Sequence, residues 1–160
     1  MVPQSAQIVI VGGGVIGCSI AYHLAKAGTT DILVLEQFQL THGATWHAAG
    51  VVGQLRNSQN VTRMLRRSVA LYDTLEADTG QVIDWKRVGS LRIASSKDRM
   101  KEFRRSATTA RSFGMEMELL TPKEAQDLFP IMTLDGVEGA TFIASDGYVD
   151  PASLCQALAA

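Results

Sequence analysis

The run Gln7-Ile8-Val9-Ile10-Val11, followed with no spacer by Gly12-Gly13-Gly14-Val15-Ile16-Gly17, constrains the fold more than any other stretch. The pentad is apolar and rich in β-branched residues, the mark of a buried strand in a parallel sheet. A helical pattern follows, with Ile20, Leu24 and Ala27 on the inward side and Gly28 as its stop. Asp31 then leads into a second apolar strand, Ile32-Leu33-Val34-Leu35, which closes on Glu36. Strand, glycine turn, helix and strand make a βαβ unit of about 30 residues. The fold class this implies is α/β.

The order of residues in that unit has a chemical reading. Gly12 permits the tight turn, Gly14 lets the backbone approach a pyrophosphate, and Gly17 lets the helix pack close to the strand. The helix N-terminus, at Val15 and Ile16, offers free N–H groups and a partial positive charge to phosphates. Glu36 lies 19 residues beyond Gly17, where a carboxylate accepts hydrogen bonds from ribose hydroxyls. A carboxylate there disfavours a 2′-phosphate and so argues against NADP. A lone G-x-G-x-x-G is weak evidence, but with strand, helix, second strand and acid in place it is strong. The unit does not by itself separate NAD from FAD.

Composition narrows the partners. The chain has 160 residues, enough to bury a core, and its net charge is −1. That balance gives no general attraction to nucleic acid or to an anionic membrane. The charge is uneven, with 13 Lys/Arg against 6 Asp/Glu over 56–111 and 1 against 8 over 112–160, a pattern read as solvated helix faces. Cys18 and Cys155 stand alone, with no metal spacing, and are expected as reduced thiols. The apolar run Ile8–Ile20 is interrupted by glycines and too short to span a bilayer. The first seven residues lack the basic region of a signal peptide and the arginines of a transit peptide. The expected compartment is cytoplasmic, or the mitochondrial matrix if the source is a eukaryote.

Beyond Glu36 comes Gly43-Ala44-Thr45-Trp46-His47-Ala48-Ala49-Gly50-Val51, where small residues flank one tryptophan and one histidine. Such a backbone can lie against a flat ligand while His47 reaches it. Together with Gly12–Gly17 and Glu36, the segment Thr45-Trp46-His47-Ala48-Ala49-Gly50 resembles the sarcosine and dimethylglycine dehydrogenases, FAD enzymes of the D-amino-acid-oxidase-like class. The resemblance continues through Gly89-Ser90-Leu91-Arg92-Ile93-Ala94 and Asp146-Gly147-Tyr148-Val149-Asp150-Pro151, so it covers almost the whole chain.

The resemblance implies that His47 is joined to the 8α-methyl of the isoalloxazine. It also puts Glu36 and Gln37 on the cofactor and Gly43 through Val51 around the flavin. The linkage has its own logic. A neutral imidazole is a nucleophile available near neutral pH, and an electron-withdrawing substituent raises the flavin potential. The implied reaction is oxidative N-demethylation of a small N-methyl amino acid, hydride passing from the N-methyl carbon to flavin. The resulting imine hydrolyses to formaldehyde or is captured by folate. Gln54-Leu55-Arg56 and Ile93-Ala94-Ser95 lean toward sarcosine over dimethylglycine. Electrons go to an electron-transfer flavoprotein or to oxygen. Two alternatives stay open: a non-catalytic relative like the regulatory subunit of pyruvate dehydrogenase phosphatase, and an amino-acid oxidase with non-covalent FAD.

The remaining pattern supplies elements and boundaries. Residues 61–76 read as a helix with Val61, Met64, Leu65, Val69, Tyr72 and Leu75 on one face, and Gly80 follows it. Met64 and Tyr72 are read as core. Val82–Trp85 and Ser90–Ala94 read as strands. Ser96 caps a helix with Met100, Phe103, Ala107 and Ala110 inward, stopped by Gly114. A short strand is expected over Glu116–Leu120, then a helix with Thr121 as cap, Pro122 in its first turn and Glu124 completing the capping box. Val137–Ala144 reads as a strand, Asp146-Gly147 as a turn, and Asp150 as the cap of a last helix. Tyr148 is read as packing with a wet hydroxyl. The expected division is residues 1–55 for the start of an FAD-binding Rossmann-like domain and 56–150 for the start of an α+β substrate region. Residues 151–160 form a helix leading back to the nucleotide domain. The resemblance makes the chain an N-terminal portion, with substrate-gripping catalytic groups and any folate region beyond residue 160. It implies an open sheet edge.

Overall fold

The computed structural model describes residues 3–160. In chain order the elements are β1 (Ile8–Val11), α1 (Val15–Lys26), β2 (Ile32–Leu35), β3 (Val51–Val52), α2 (Gln59–Thr79) and β4 (Ser90–Ala94). Then come α3 (Lys97–Ser112), β5 (Glu118–Leu120), α4 (Pro122–Leu128), β6 (Gly139–Ile143), β7 (Gly147–Tyr148) and α5 (Pro151–Ala159). The chain divides into two compact units, one formed by residues up to Val51 with Ala70–Trp85 and Val149–Ala160, the other by Val52–Val69 and Lys86–Tyr148.

In the first unit β1 and β2 pair in parallel, from Ile8 against Ile32 to Val11 against Leu35. Among the described residues β1 has no partner on its other edge, and Val11 there is 84% exposed. That is the incomplete parallel sheet expected from the βαβ pattern. Helix α1 packs on α5, where Leu154, Cys155, Ala157 and Leu158 are buried. The inward side of α1 differs from expectation: Gly17 and Cys18 are buried, while Ile20 is 46% exposed and Ala27 is exposed. Ile20 lines a cleft with Ile10 and Val11 of β1, whereas Cys18 meets Cys155 of α5.

The stripe of α2 is also rotated. Thr62, Val69 and Leu75 are buried, whereas Met64 and Val61 are exposed. Thr62 goes inward because its hydroxyl accepts from the Arg56 amide at 3.1 Å and donates to the Arg56 carbonyl at 3.2 Å. So paired, the threonine hydroxyl is satisfied in the interior as donor and acceptor. Tyr72 is half-buried, edge-on to Trp85 with ring centroids 5.8 Å apart, and burial raises its phenol pKa. Val82–Trp85 is not a strand. The Glu76 carboxylate accepts the Ile83 amide at 2.8 Å and the Asp84 amide at 3.2 Å. Asp84 sits at φ 53°, outside the extended region. The donors a strand would need are spent on a side chain of α2.

The second unit contains an antiparallel sheet of order β4-β6-β5, with Ser90 opposite Ile143 and Glu118 opposite Phe142. Met100 and Phe103 of α3 cover Ala94, as the helical spacing predicts, and Ala110, Met115 and Ile143 form a neighbouring cluster. Strands β5 and β6 are shorter than the runs over 116–120 and 137–144 suggested. All three helix starts behave as read. Ser96 accepts the Arg99 amide, Thr121 and Glu124 complete a capping box, and Asp150 accepts the Ser153 amide at 2.8 Å.

Candidate cofactor site

The glycine turn and the loop after β2 meet within the first unit. Gly12 has φ +110°, a conformation that L side chains rarely adopt, and its amide donates to the Leu35 carbonyl at 2.7 Å. A Cβ on Gly17 would run into the Gly12 carbonyl oxygen, so the helix starts as close to β1 as the backbone allows. A Cβ on Gly14 would lie 3.1 Å from the Thr45 hydroxyl. The result is a cleft of about 440 Å³ lined by Gly12, Gly14 and Gly17 together with Ala44, Thr45 and Ala48. Val15 and Ile16 also line it, and Ile16 is 75% exposed.

The acid does more than the sequence suggests. One oxygen of Glu36 accepts the Gly13 amide at 2.7 Å and the other accepts the Phe38 amide at 3.0 Å. Those two hydrogen bonds, the Phe38 one foremost, hold its carboxyl below the usual range. Glu36 therefore staples the turn to the end of β2 and stays ionised. Each carboxylate oxygen keeps a second lone pair, so the site remains able to accept from a hydroxyl. Gln37 follows it, exposed.

Thr45 joins loop to helix. Its side chain is buried, and its hydroxyl accepts the Val15 amide at 3.0 Å. This is a cap on the N-terminus of α1 delivered from 30 residues away. The loop is pinned again where the Thr41 amide donates to the Gly13 carbonyl at 3.1 Å. Gly43, Ala44, Ala48 and Ala49 are exposed, Gly50 is partly buried, and Val51 is 75% exposed. The Trp46 ring tilts 43° against the His47 ring, with centroids 4.2 Å apart, and both side chains face solvent. His47 Nδ1 lies 3.1 Å from the Gly43 carbonyl oxygen. A carbonyl only accepts, so the proton of a neutral imidazole sits on Nδ1 and Nε2 carries the free lone pair.

Two features carry no signal in the local sequence. The Thr45 cap is a contact between distant segments, and no local pattern marks it. Asp146, read as part of a turn, is wholly buried in the second unit. Its carboxylate accepts the Gln54 amide at 2.9 Å, the Gln54 side-chain amide at 3.3 Å and the Ser90 hydroxyl at 2.6 Å. An Asp-Gly pair reads as a surface turn from sequence alone. The second unit also carries an open hollow of about 660 Å³ bordered by Asn60, Arg63, Met64, Arg66 and Arg67 of α2. The exposed Met64 borders it and is not core. Among the described residues no cluster could hold a metal ion, and no helix is long and apolar enough to cross a membrane.

A parallel βαβ start with a glycine cradle, a stapled acid and a histidine-bearing loop defines a dinucleotide-binding α/β protein. Residues 7–160 match the family model for FAD dependent oxidoreductases, and the chain belongs to that family. Mitochondrial dimethylglycine dehydrogenase of Rattus norvegicus is 40% identical over 154 residues, 96% of this chain and 18% of that protein. Mitochondrial sarcosine dehydrogenase of Homo sapiens is 38% identical over 158 residues, 98% of this chain and 17% of that protein. The chain thus spans under a fifth of the length of these relatives. Among solved structures, L-proline dehydrogenase from P. horikoshii superposes with a TM-score of 0.91 at 30% identity, over 99% of this chain and 41% of that one.

Proposed function

We propose that the chain is the cofactor-anchoring part of an FAD-dependent oxidoreductase that oxidatively N-demethylates a small N-methyl amino acid, sarcosine in preference to dimethylglycine. The observation that carries this reading is the Thr45-anchored loop, which presents His47 with its Nδ1 hydrogen committed to the Gly43 carbonyl. In this assignment Gly12, Gly14, Ile16 and Gly17 receive the pyrophosphate beside Val15, whose amide is held by Thr45, and Glu36 and Gln37 receive the ribose. The loop residues Gly43, Ala44, Thr45, Trp46, Ala48, Ala49, Gly50 and Val51 lie along the isoalloxazine. The cradle fits such a group, because Gly12, Gly14 and Gly17 put bare backbone along a cleft of about 440 Å³ at the N-terminus of α1. Bound FAD supplies the hydride acceptor.

His47 Nε2 is the nitrogen assigned to the bond with the flavin 8α-methyl carbon. Its role is anchoring and tuning, and the loop's role is to hold the ring at one tilt. Electrons leave to an electron-transfer flavoprotein or to oxygen, and folate enters only through a region other than these residues. The compartment assigned is the cytoplasm, or the mitochondrial matrix in a eukaryote.

The test is acid precipitation of protein carrying this chain, beside its His47→Ala version, followed by flavin fluorescence of the washed pellet. Fluorescence should stay with the parent pellet and be absent from the variant. Flavin washed out of both would remove His47 as the anchor and favour a non-covalent amino-acid oxidase. Flavin in neither would favour a non-catalytic scaffold. Anaerobic bleaching of the flavin band by sarcosine against dimethylglycine then ranks the substrates, and faster bleaching by dimethylglycine would overturn the preference.

A further inference from the structure

The chain's two cysteines, 137 positions apart, converge where α1 packs on α5, with their sulfurs 3.5 Å from each other. Cys18 is 1% exposed and Cys155 is fully buried, and both are free thiols. Both sulfurs lie within donor reach of one acceptor, the Gly13 carbonyl oxygen, at 3.6 Å from Cys18 and 3.5 Å from Cys155, and the single Cys155 S–H is equally placed to donate to the Cys18 sulfur. That oxygen also accepts the Thr41 amide, so the sulfurs sit directly beneath the glycine turn of the candidate site.

The distance is that of two sulfurs in contact. Closing it to a bond of about 2.05 Å needs a movement of about 1.5 Å, within reach of side-chain rotation and a slight helix adjustment. Access is one-sided. Cys18 borders a hollow of about 550 Å³ together with Ala21, Ile32, Val34, Leu40 and Leu158, and Cys155 does not. Cys18 lies in the wall of that hollow with Cys155 behind it, so a small oxidant meets Cys18 first.

We propose that Cys18 and Cys155 are an oxidisable dithiol, converted by a hydroperoxide into a disulfide that ties α1 to α5 under the glycine turn. With hydrogen peroxide the Cys18 sulfur attacks one peroxide oxygen and the O–O bond breaks, giving a sulfenic acid and one water. The Cys155 sulfur then attacks the Cys18 sulfur, the S–O bond breaks, and a second water leaves. Two thiols are oxidised by two electrons in all, one peroxide is reduced, and the two thiol hydrogens end in water. Burial foremost, with the neighbouring Cys18, pushes the Cys155 thiol up to about 12. At neutral pH it is therefore a thiol, so the attack on peroxide falls to Cys18, and Cys155 gives its proton to the departing oxygen as it attacks the Cys18 sulfur. Once the bond forms, no S–H is left to donate to the Gly13 carbonyl, which keeps the Thr41 amide.

The experiment treats the parent protein, Cys18→Ser and Cys155→Ser with hydrogen peroxide, quenches with catalase, then alkylates in denaturant with N-ethylmaleimide before peptide mass analysis. In the parent the expected result is joint loss of both thiols and a Cys18–Cys155 linked peptide pair, released by dithiothreitol. Each serine variant should lack the pair, and its remaining cysteine should not link to another chain. Three results would overturn the proposal. The first is independent conversion of either cysteine to sulfinic or sulfonic acid with no linked pair. The second is full labelling of both thiols at a peroxide dose that oxidises a free cysteine peptide. The third is a linkage found only between chains on a non-reducing gel.

Discussion

Thr45→Val tests whether the loop and the glycine turn are one structural piece. Valine keeps the branched shape at a site only 9% exposed but has no oxygen, so the Val15 amide loses the acceptor it now meets at 3.0 Å. Loss of a helix N-terminal cap costs about 0.5–2 kcal/mol, and a donor left partly unsatisfied costs about 1–3 kcal/mol. Val15 itself is only partly buried and water can replace some of the bond, so a loss of about 1–2 kcal/mol is expected. For a chain of this size that is a drop in Tm of about 2–8 °C. The assay is urea unfolding combined with amide hydrogen exchange at Val15. Thr45→Ser separates the two contributions: it should lose about 0.8 kcal/mol for the missing methyl yet keep Val15 protected. A valine variant within about 0.3 kcal/mol of the parent, with Val15 as protected as before, would refute the cap.

Other substitutions probe the same architecture. Gly17→Ala places a Cβ against the Gly12 carbonyl and should destabilise by about 3 kcal/mol or more, read as a lower urea midpoint; an unchanged midpoint contradicts the close approach. Asp150→Ala removes the acceptor of the Ser153 amide at the start of α5 and should cost about 1 kcal/mol, most of it restored by asparagine. Glu36, Asp78, Glu124 and Asp150 are held below the usual carboxylate range by the Phe38 and Gly13 amides, by Lys26, by Thr121 and by Ser153 respectively. A folded pKa below the unfolded one gives stability that is present above the unfolded value of about 4 and is lost as pH falls through the folded values. The urea midpoint should therefore be flat from pH 7 to about 5 and fall below about 4, and Glu36→Gln should reduce that fall. A midpoint that rises on acidification would contradict the sign.

What could be read from sequence was what short segments decide for themselves. The turn at Gly12, the stop at Gly28 and the caps Ser96, Thr121 and Asp150 are settled within a few residues, and all were legible. Side-chain burial was legible only in part: Met100, Phe103 and Ala110 of α3 are buried as their spacing predicts, and other positions are not. Cys18 is buried because α5 packs on that side of α1 with Cys155, while Ile20 is left along the cleft beside Val11. Val82–Trp85 has strand-like residues, but Glu76 reaches its amides first. Asp146 looks like a turn and is buried because Gln54, 92 positions earlier, supplies both a backbone and a side-chain donor. In each case a contact from outside the segment itself, close by for Glu76 and 92 positions away for Gln54, overrode a local preference.

The same principle explains why the histidine loop is more than a motif. Three bonds fix it in series. The Thr41 amide holds the Gly13 carbonyl, the Thr45 hydroxyl holds the first amide of α1, and the Gly43 carbonyl holds His47 Nδ1. The first two bind the loop to the cradle and the third binds the imidazole to the loop, so the ring orientation is referred back to the helix N-terminus that would face a pyrophosphate. A ligand gripping that N-terminus is thereby placed relative to His47 without any contact between the two ends of the ligand. Glu36 adds the fourth fastening by closing Gly13 onto the end of β2. Preorganisation of this kind lowers the ordering cost of binding, because the loop is already tied down before a ligand arrives.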